Sequence, residues 1–414
     1  MNGCLAMLSL PAFFVLNISP LAAATARPPG EHGLIGGAPD FVLERGPHHR
    51  RVQRVLFGTN DLGQATVTTN VLTEIQTGLH YQDEGRWIES EAVIKAEAGG
   101  AVAVRGQHKV RFRGNARSVG AFDVEMPDGR RMRGHVLGLA LADLASGRSV
   151  WLAQVKDCDA EILPPNQIIY RGAFDEDGIE ADLLYTYTRA GLRQDVVIRK
   201  QFPTSPEELG LNPESSVVQV VTEMVETPEP EKKQRVLSGR QLEDEELDFG
   251  SMQMRLGQAF LMSSGESEEE RQSEEAVVVA KQWRKVEGRQ VLVEAVEYNQ
   301  VKPMLERLPA PPKGKSKRRA SIDWRLPAVP AGGVGGKAVR VARVSSAGTG
   351  VVLDYDLTGS QNNYTFGAGT AYCIVGDVYL NGTTPFSPGA VLKFNTKKEK
   401  FVKKMFVESA KNNG

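Results

Sequence analysis

The chain has 414 residues, enough for two or three domains, and its 41% hydrophobic and 24% charged residues are ordinary proportions for a protein with a packed core. Lys and Arg number 50 against 51 Asp and Glu, a formal net charge of -1, which excludes the broadly basic surface of a dedicated nucleic-acid binder. The 42 glycines and 22 prolines interrupt the chain too often for long helices and suit many short strands.

Leu5 to Leu21 is mostly apolar and runs into Ala22-Ala23-Ala24-Thr25-Ala26. An apolar stretch followed by small residues is the pattern of a secretory signal peptide, cleaved after Ala24 or Ala26. No Lys or Arg precedes the apolar run, so the terminal amine alone supplies positive charge there. Pro11 and Pro20 shorten any helix that would span a bilayer. Residues 1–26 therefore read as a signal, and the mature chain as secreted or cell-surface with no transmembrane span. Cys4 falls within the signal. Cys158 and Cys373 stand far apart and read as small buried hydrophobes. Residues 27–50, rich in Pro, Gly and His, read as a flexible lead-in. Its adjacent His48 and His49 could bind a metal together, but adjacent histidines in a mobile segment more often bind nothing.

From Arg51 to about residue 300 the spacing predicts one antiparallel β domain. Asp83-Glu84-Gly85 sits between an aromatic-bearing run and Trp87, as in a hairpin turn. In Lys109–Arg113 the apolar Val110 and Phe112 alternate with Lys109, Arg111 and Arg113, the period of a half-buried strand. Pro127-Asp128-Gly129 marks a turn, and Ala190-Gly191 separates strands at Leu183–Thr188 and Gln194–Arg199. Another strand is expected over Ser215–Glu226. Recurrent strands with short turns predict an all-β, sandwich-like fold. A charged insertion spans 228–275, with a short helix expected around Leu242–Leu247 and a solvated acidic loop over 263–275. Two more strands, split at Lys285–Gly288, complete the domain, since a lone hairpin is marginal.

Residues 301–337 have the composition of a Pro/Gly-rich linker with a basic knot at Lys313–Arg319. Strand patterns return over 338–395. A Lys-rich tail, 396–414, places Phe401, Val402, Met405 and Phe406 at helical spacing.

The stretch around Tyr364, Phe366, Tyr372, Ile374, Gly376, Val378, Leu380, Gly382, Thr383, Phe386, Gly389, Val391, Lys393 and Phe394 resembles the opening turn of a right-handed parallel β-helix in large secreted bacterial proteins. The resemblance implies that Ile374, Val378, Leu380 and Val391 point into a coil and that glycines form its corners. At least about three stacked coils are needed to bury such faces. One coil is expected here, which implies either a truncated chain or strands that cap the main domain, with truncation favoured. Residues 51–226, through "GLHYQDEGRWIESEAVI" and "LLYTYTRAGLRQDVVIR", resemble the N-terminal β-rich module of exported YD-repeat or wall-associated-type bacterial proteins. YD repeats themselves are absent, and this second resemblance names no active residue.

Candidate chemistry is thin. Asp175, Asp177, Glu180 and Asp182 cluster around Gly178 in "FDEDGIEAD" as an oxygen-rich loop of the kind that holds Ca²⁺. Their spacing departs from the EF-hand pattern, and a solvated turn is the commoner meaning of such a run. Trp87, Trp151, Trp283 and Trp324, with Tyr185 and Tyr187, are candidates for a sugar-stacking platform or for core packing. The sequence contains no G-x-S-x-G, H-E-x-x-H or phosphate-loop motif. The expectation is a non-catalytic structural or adhesive protein, the N-terminal part of a larger polypeptide, meeting polysaccharide or cell-envelope components and no nucleic acid. The alternative is a carbohydrate-active β-helix enzyme, of polysaccharide lyase or hydrolase type, lacking its catalytic coils.

Overall fold

The alternation read in Lys109–Arg113 is realised as a strand with Val110 and Phe112 buried and Arg111 and Arg113 exposed. It pairs antiparallel with Phe122–Glu125 on one side and Gly100–Ala103 on the other. The computed structural model describes residues 36–37, 40–60, 62–175, 177–236, 242–262, 276–311, 326–327, 339–342, 347–394 and 405–407. The expected signal peptide, the acidic loop 263–275, the basic knot and Trp324 lie outside the described residues. The architecture is all-β, with the single α-helix Tyr298–Leu305 among the described residues. None of the described helices is long and apolar enough to cross a membrane.

The chain divides into two compact units, 1–39 with 54–70 and 40–53 with 71–414. In the first, Gly36 and Gly37 pair antiparallel with Phe57 and Leu56. Its turn is held by Asn60, whose side-chain oxygen accepts hydrogen bonds from the amides of Leu62 and Gln64.

In the second unit, sequence-local hairpins form the frame. Ala181–Tyr187 pairs with Gly191–Ile198, and the turn between them is closed by Thr188 and Gly191. His80–Asp83 pairs with Arg86–Glu89 through Glu84 and Gly85, both at positive φ (49° and 77°), the two-residue turn whose twist matches that of its strands. Glu287 and Gly288 repeat the device between Val277–Val286 and Arg289–Glu297. Non-local pairing then joins these pieces. Ser216–Glu226 lies between Arg131–Asp143 and Arg289–Glu297. Gly350–Gly359 pairs with Gly191–Ile198 and with the segments Met252–Met254 and Gly257–Met262. The circuit of strands returns to its start as a closed, barrel-like sheet. Its interior is filled by aromatic and aliphatic side chains, including Phe112, Phe122, Tyr170 and Tyr185. The Tyr185 ring meets Phe112 and Phe122 at centroid distances of 5.3 and 5.8 Å, the separations that favour tilted aromatic packing.

Three local expectations are corrected. Glu243–Asp248 is a strand paired with Glu231–Val236, where a short helix was expected. Its stretch reads as highly charged with little to bury, but Asp244 and Glu246 turn inward to cations on other strands, which satisfies a period of two. Met405–Val407 is likewise extended, paired parallel with Val378–Leu380, where helical spacing had been read. Within the expected lead-in, Phe41–Arg45 is a strand paired with Arg50–Gln53. Ordered packing also reaches into the segment read as linker: Tyr298–Leu305 buries Tyr298, Val301, Met304 and Leu305.

The C-terminal stretch changes pairing mode from antiparallel to parallel. Gln361 pairs with Leu380, 19 residues on, and Ala371 with Val391, 20 residues on. Phe366 bridges Phe386 at the same spacing of 20, with their rings stacked at 4.6 Å. On its other edge Tyr372–Ile374 pairs parallel with Thr73–Ile75, so a strand from far upstream supplies the layer beneath. Ile75, Phe366, Tyr372, Ile374, Val378 and Leu380 form one buried cluster. Val391, expected inside, is 48% exposed because no described strand covers its far edge.

Gly78 locks the chain just beyond Thr73–Ile75. Its φ is +71°, and a Cβ there would lie 1.9 Å from the Arg189 carbonyl oxygen. Gly78→Ala combines the left-handed backbone penalty with a backbone clash, and is expected to cost about 2–4 kcal/mol, read as a lowered urea midpoint.

Candidate binding site

The hairpin His80–Glu89 and the strand Lys109–Arg113 border an open cleft of about 350 Å³ in the second unit. Tyr81, Gln82, Trp87, Gln107, Lys109 and Glu125 are among its lining residues. Register places Trp87 opposite Gln82 across the hairpin. Both aromatic residues, Tyr81 and Trp87, are half-buried, which leaves part of each available to a ligand. The Gln107 side-chain amide donates to the carbonyl oxygens of Pro47 and His80 at 2.7 and 2.8 Å, fixing one wall. On the other, Lys109 donates to Glu125 at 2.7 Å across a directly opposed strand pair. That hydrogen bond holds the Glu125 carboxyl below the usual carboxylate range. The cleft thus offers half-buried rings, amides and one internally neutralised ion pair, a lining suited to a polar ligand with apolar faces.

The remaining aromatic candidates among the described residues serve the core. Trp151 and Trp283 are buried, and the hydroxyls of Tyr185 and Tyr187 donate to Gln194 Oε1 and to the His108 carbonyl at 3.0 and 2.9 Å. Only Trp87 of the four tryptophans lines the cleft among the described residues, and nothing in its local sequence separates it from the other three.

The oxygen-rich loop is engaged by its own surroundings. Asp182 accepts from the Gly172 amide at 2.7 Å and pairs with Arg199 at 2.5 Å. Glu180 pairs with Lys200 at 2.5 Å, and Asp175 accepts from the Ala181 amide at 3.3 Å. Asp177 forms the turn, with φ 47°. No group of three or more His, Cys, Asp or Glu side chains placed to hold a metal occurs among the described residues. With Arg199 and Lys200 already neutralising Asp182 and Glu180, millimolar calcium against EDTA is expected to leave the thermal midpoint in place. A rise of several degrees would instead assign an ion to this loop. His48 and His49 do not converge either: His48 Nδ1 accepts from the Gly78 amide at 2.9 Å, while His49 faces Glu44 at 3.5 Å. Burial and the neighbouring His49 charge bring His48 down to about 4.

Cys158 and Cys373 are half-buried rather than fully buried. Burial, with Asp182 and Asp159 nearby, pushes the Cys158 thiol up to about 11, which suppresses the reactive thiolate.

A buried polar cluster escaped the sequence reading. Lys281 is wholly buried and donates through Nζ to Asp244 Oδ1 at 3.2 Å, while its backbone amide reaches the same oxygen at 2.9 Å. Close by, the Gln194 side-chain amide donates to Glu294 at 3.3 Å and to Thr222 at 3.3 Å. Burial raises the Glu294 carboxyl well above its ordinary value despite Lys281, with Asp354 and Asp195 adding to the rise. Asp354 is raised as well, first by burial and then by Asp356 and Asp195.

Carboxyls raised on folding stabilise in their protonated form, so their contribution fades as pH climbs from the unfolded value, about 4.3, through the folded one. His48, His80, His108 and His135 are lowered by burial and act in the opposite sense, but only below about pH 6.5. Stability is therefore expected to fall as pH rises above the unfolded carboxyl value, opposed by the histidines up to about pH 6.5, at up to about 1.4 kcal/mol per pH unit for each raised carboxyl until it ionises in the folded protein. Glu294→Gln is expected to flatten that slope, read from urea midpoints across that range.

No known protein family, no curated protein and no solved structure matches this chain.

Proposed function

We propose that this chain is a non-catalytic exported protein of structural or adhesive kind. In this reading its antiparallel body carries the first turn of a right-handed parallel β-helix and forms the N-terminal part of a larger secreted or surface polypeptide. The observation that carries it is the parallel stacking of Ala371–Ile374 on Val391–Phe394 at a spacing of 20 residues, with Thr73–Ile75 paired parallel on the other edge. A coil cannot bury its own face alone. Here the body supplies the layer below, and the half-exposed Phe386 and Val391 present an edge to a layer above. The Trp87 cleft gives the adhesive role a place to act, with polysaccharide or cell-envelope components as partners. Its lining holds a single carboxylate, Glu125, tied to Lys109, whereas glycoside hydrolysis uses two.

Expressed with its own N-terminus in a bacterial host, the protein is expected outside the cytoplasm with an intact mass beginning at Thr25 or Arg27. A cytoplasmic product retaining residues 1–26 would contradict export.

A further inference from the structure

A second groove, of about 190 Å³, is lined by Gly99, Gly100, Arg111, Arg113, Asp123 and Arg131, with Glu97 on the same lining. The strand Lys109–Arg113 joins it to the Trp87 cleft: Lys109 lines one, Arg111 and Arg113 the other. These three alternate residues share one face of the strand at a spacing of about 7 Å. Neighbouring strands place Glu125 opposite Lys109, Asp123 opposite Arg111, Arg131 opposite Glu125 and Arg133 opposite Asp123.

The charges on this face are unevenly satisfied. Glu125 is held by Lys109 at 2.7 Å. Asp123 binds Arg131 and lies 3.6 Å from Arg133, which also reaches Glu226 at 3.3 Å. The exposed guanidinium groups of Arg111 and Arg113 have no ion-pair partner among the described residues. Guanidinium groups match carboxylates through paired N–H donors, and the adjoining cleft supplies ring faces and amides.

We propose that this face binds an acidic polysaccharide, with sugar rings against Trp87 and Tyr81 and uronate carboxylates on Arg111 and Arg113. The inference rests on the adhesive reading and names its ligand class. A nucleic acid is the poorer occupant, because the chain carries a net charge of -1 and the strip leaves two guanidinium groups unpaired among the described residues, too few to neutralise a phosphate at every nucleotide.

The test uses the full chain in affinity electrophoresis with polygalacturonate, neutral dextran and single-stranded DNA. Polygalacturonate is expected to retard the protein in a salt-sensitive manner, and dextran is not. Arg111→Gln with Arg113→Gln is expected to weaken retardation about tenfold or more, and Trp87→Ala to weaken it at unchanged salt sensitivity. Thermal midpoints confirm that each variant is folded. Absence of polygalacturonate binding, equal binding by the double arginine variant, or tighter binding of DNA would overturn the proposal. None of these outcomes touches the fractionation result, and a cytoplasmic product would leave this binding measurable.

Discussion

Lys281→Ala is expected to cost about 3–5 kcal/mol, the usual consequence of leaving one partner of a buried ion pair alone. Lys281 and Asp244 are both essentially inaccessible to solvent, and Asp244 receives the Lys281 ammonium and the Lys281 amide on one oxygen. Burial raises the Glu294 carboxyl well above its ordinary value despite Lys281, so the direct contact that the substitution removes is the one to Asp244. Asp244 is the group left charged in the core. The matched change Lys281→Met with Asp244→Asn removes both charges and keeps an acceptor for the amide. It is expected to lose at least about 1 kcal/mol less than the sum of the two single changes. Urea unfolding of the four proteins supplies the comparison, and strictly additive losses would mean the pair is not coupled.

Ile374→Asp is expected to act locally. Ile374 is fully buried between Ile75 and the next layer of the parallel ladder, and a carboxylate there loses its hydration without gaining a partner, a cost of several kcal/mol. Hydrogen exchange is expected to rise across 361–394, while Ala181–Tyr187 and Gly191–Ile198 keep their protection. The reason is that those strands bury their side chains in two clusters separate from that of the ladder. Equal loss of protection in both regions would mean that the ladder and the closed sheet unfold as one unit.

What was legible in the sequence was local. A two-residue turn such as Glu84-Gly85, or the alternation in Lys109–Arg113, writes its geometry into neighbouring positions. The hairpin across Ala190-Gly191 was legible for the same reason. Pairing between distant strands leaves no such mark. Glu243–Asp248 looked like a charged helix because Lys281 and Arg235, which receive Asp244 and Glu246, lie on other strands. The parallel segment looked unsupported because Thr73–Ile75, on which it stacks, lies about three hundred positions upstream. The cleft was hidden for a related reason: Trp87 and Lys109 meet only after separate hairpins come together.

The parallel register between residues 73–75 and 372–374 is the claim on which the rest depends, and an engineered cross-link tests it directly. Glu74 and Cys373 are register partners, and adjacent strands lie about 4.8 Å apart, within the span a disulfide bridges. In Glu74→Cys with Cys158→Ser, mild oxidation of the folded protein is expected to join position 74 to Cys373, recovered as a linked peptide pair. If Cys373 stays a free thiol in the folded protein while the urea-unfolded chain oxidises readily, the strands are not neighbours and the account fails.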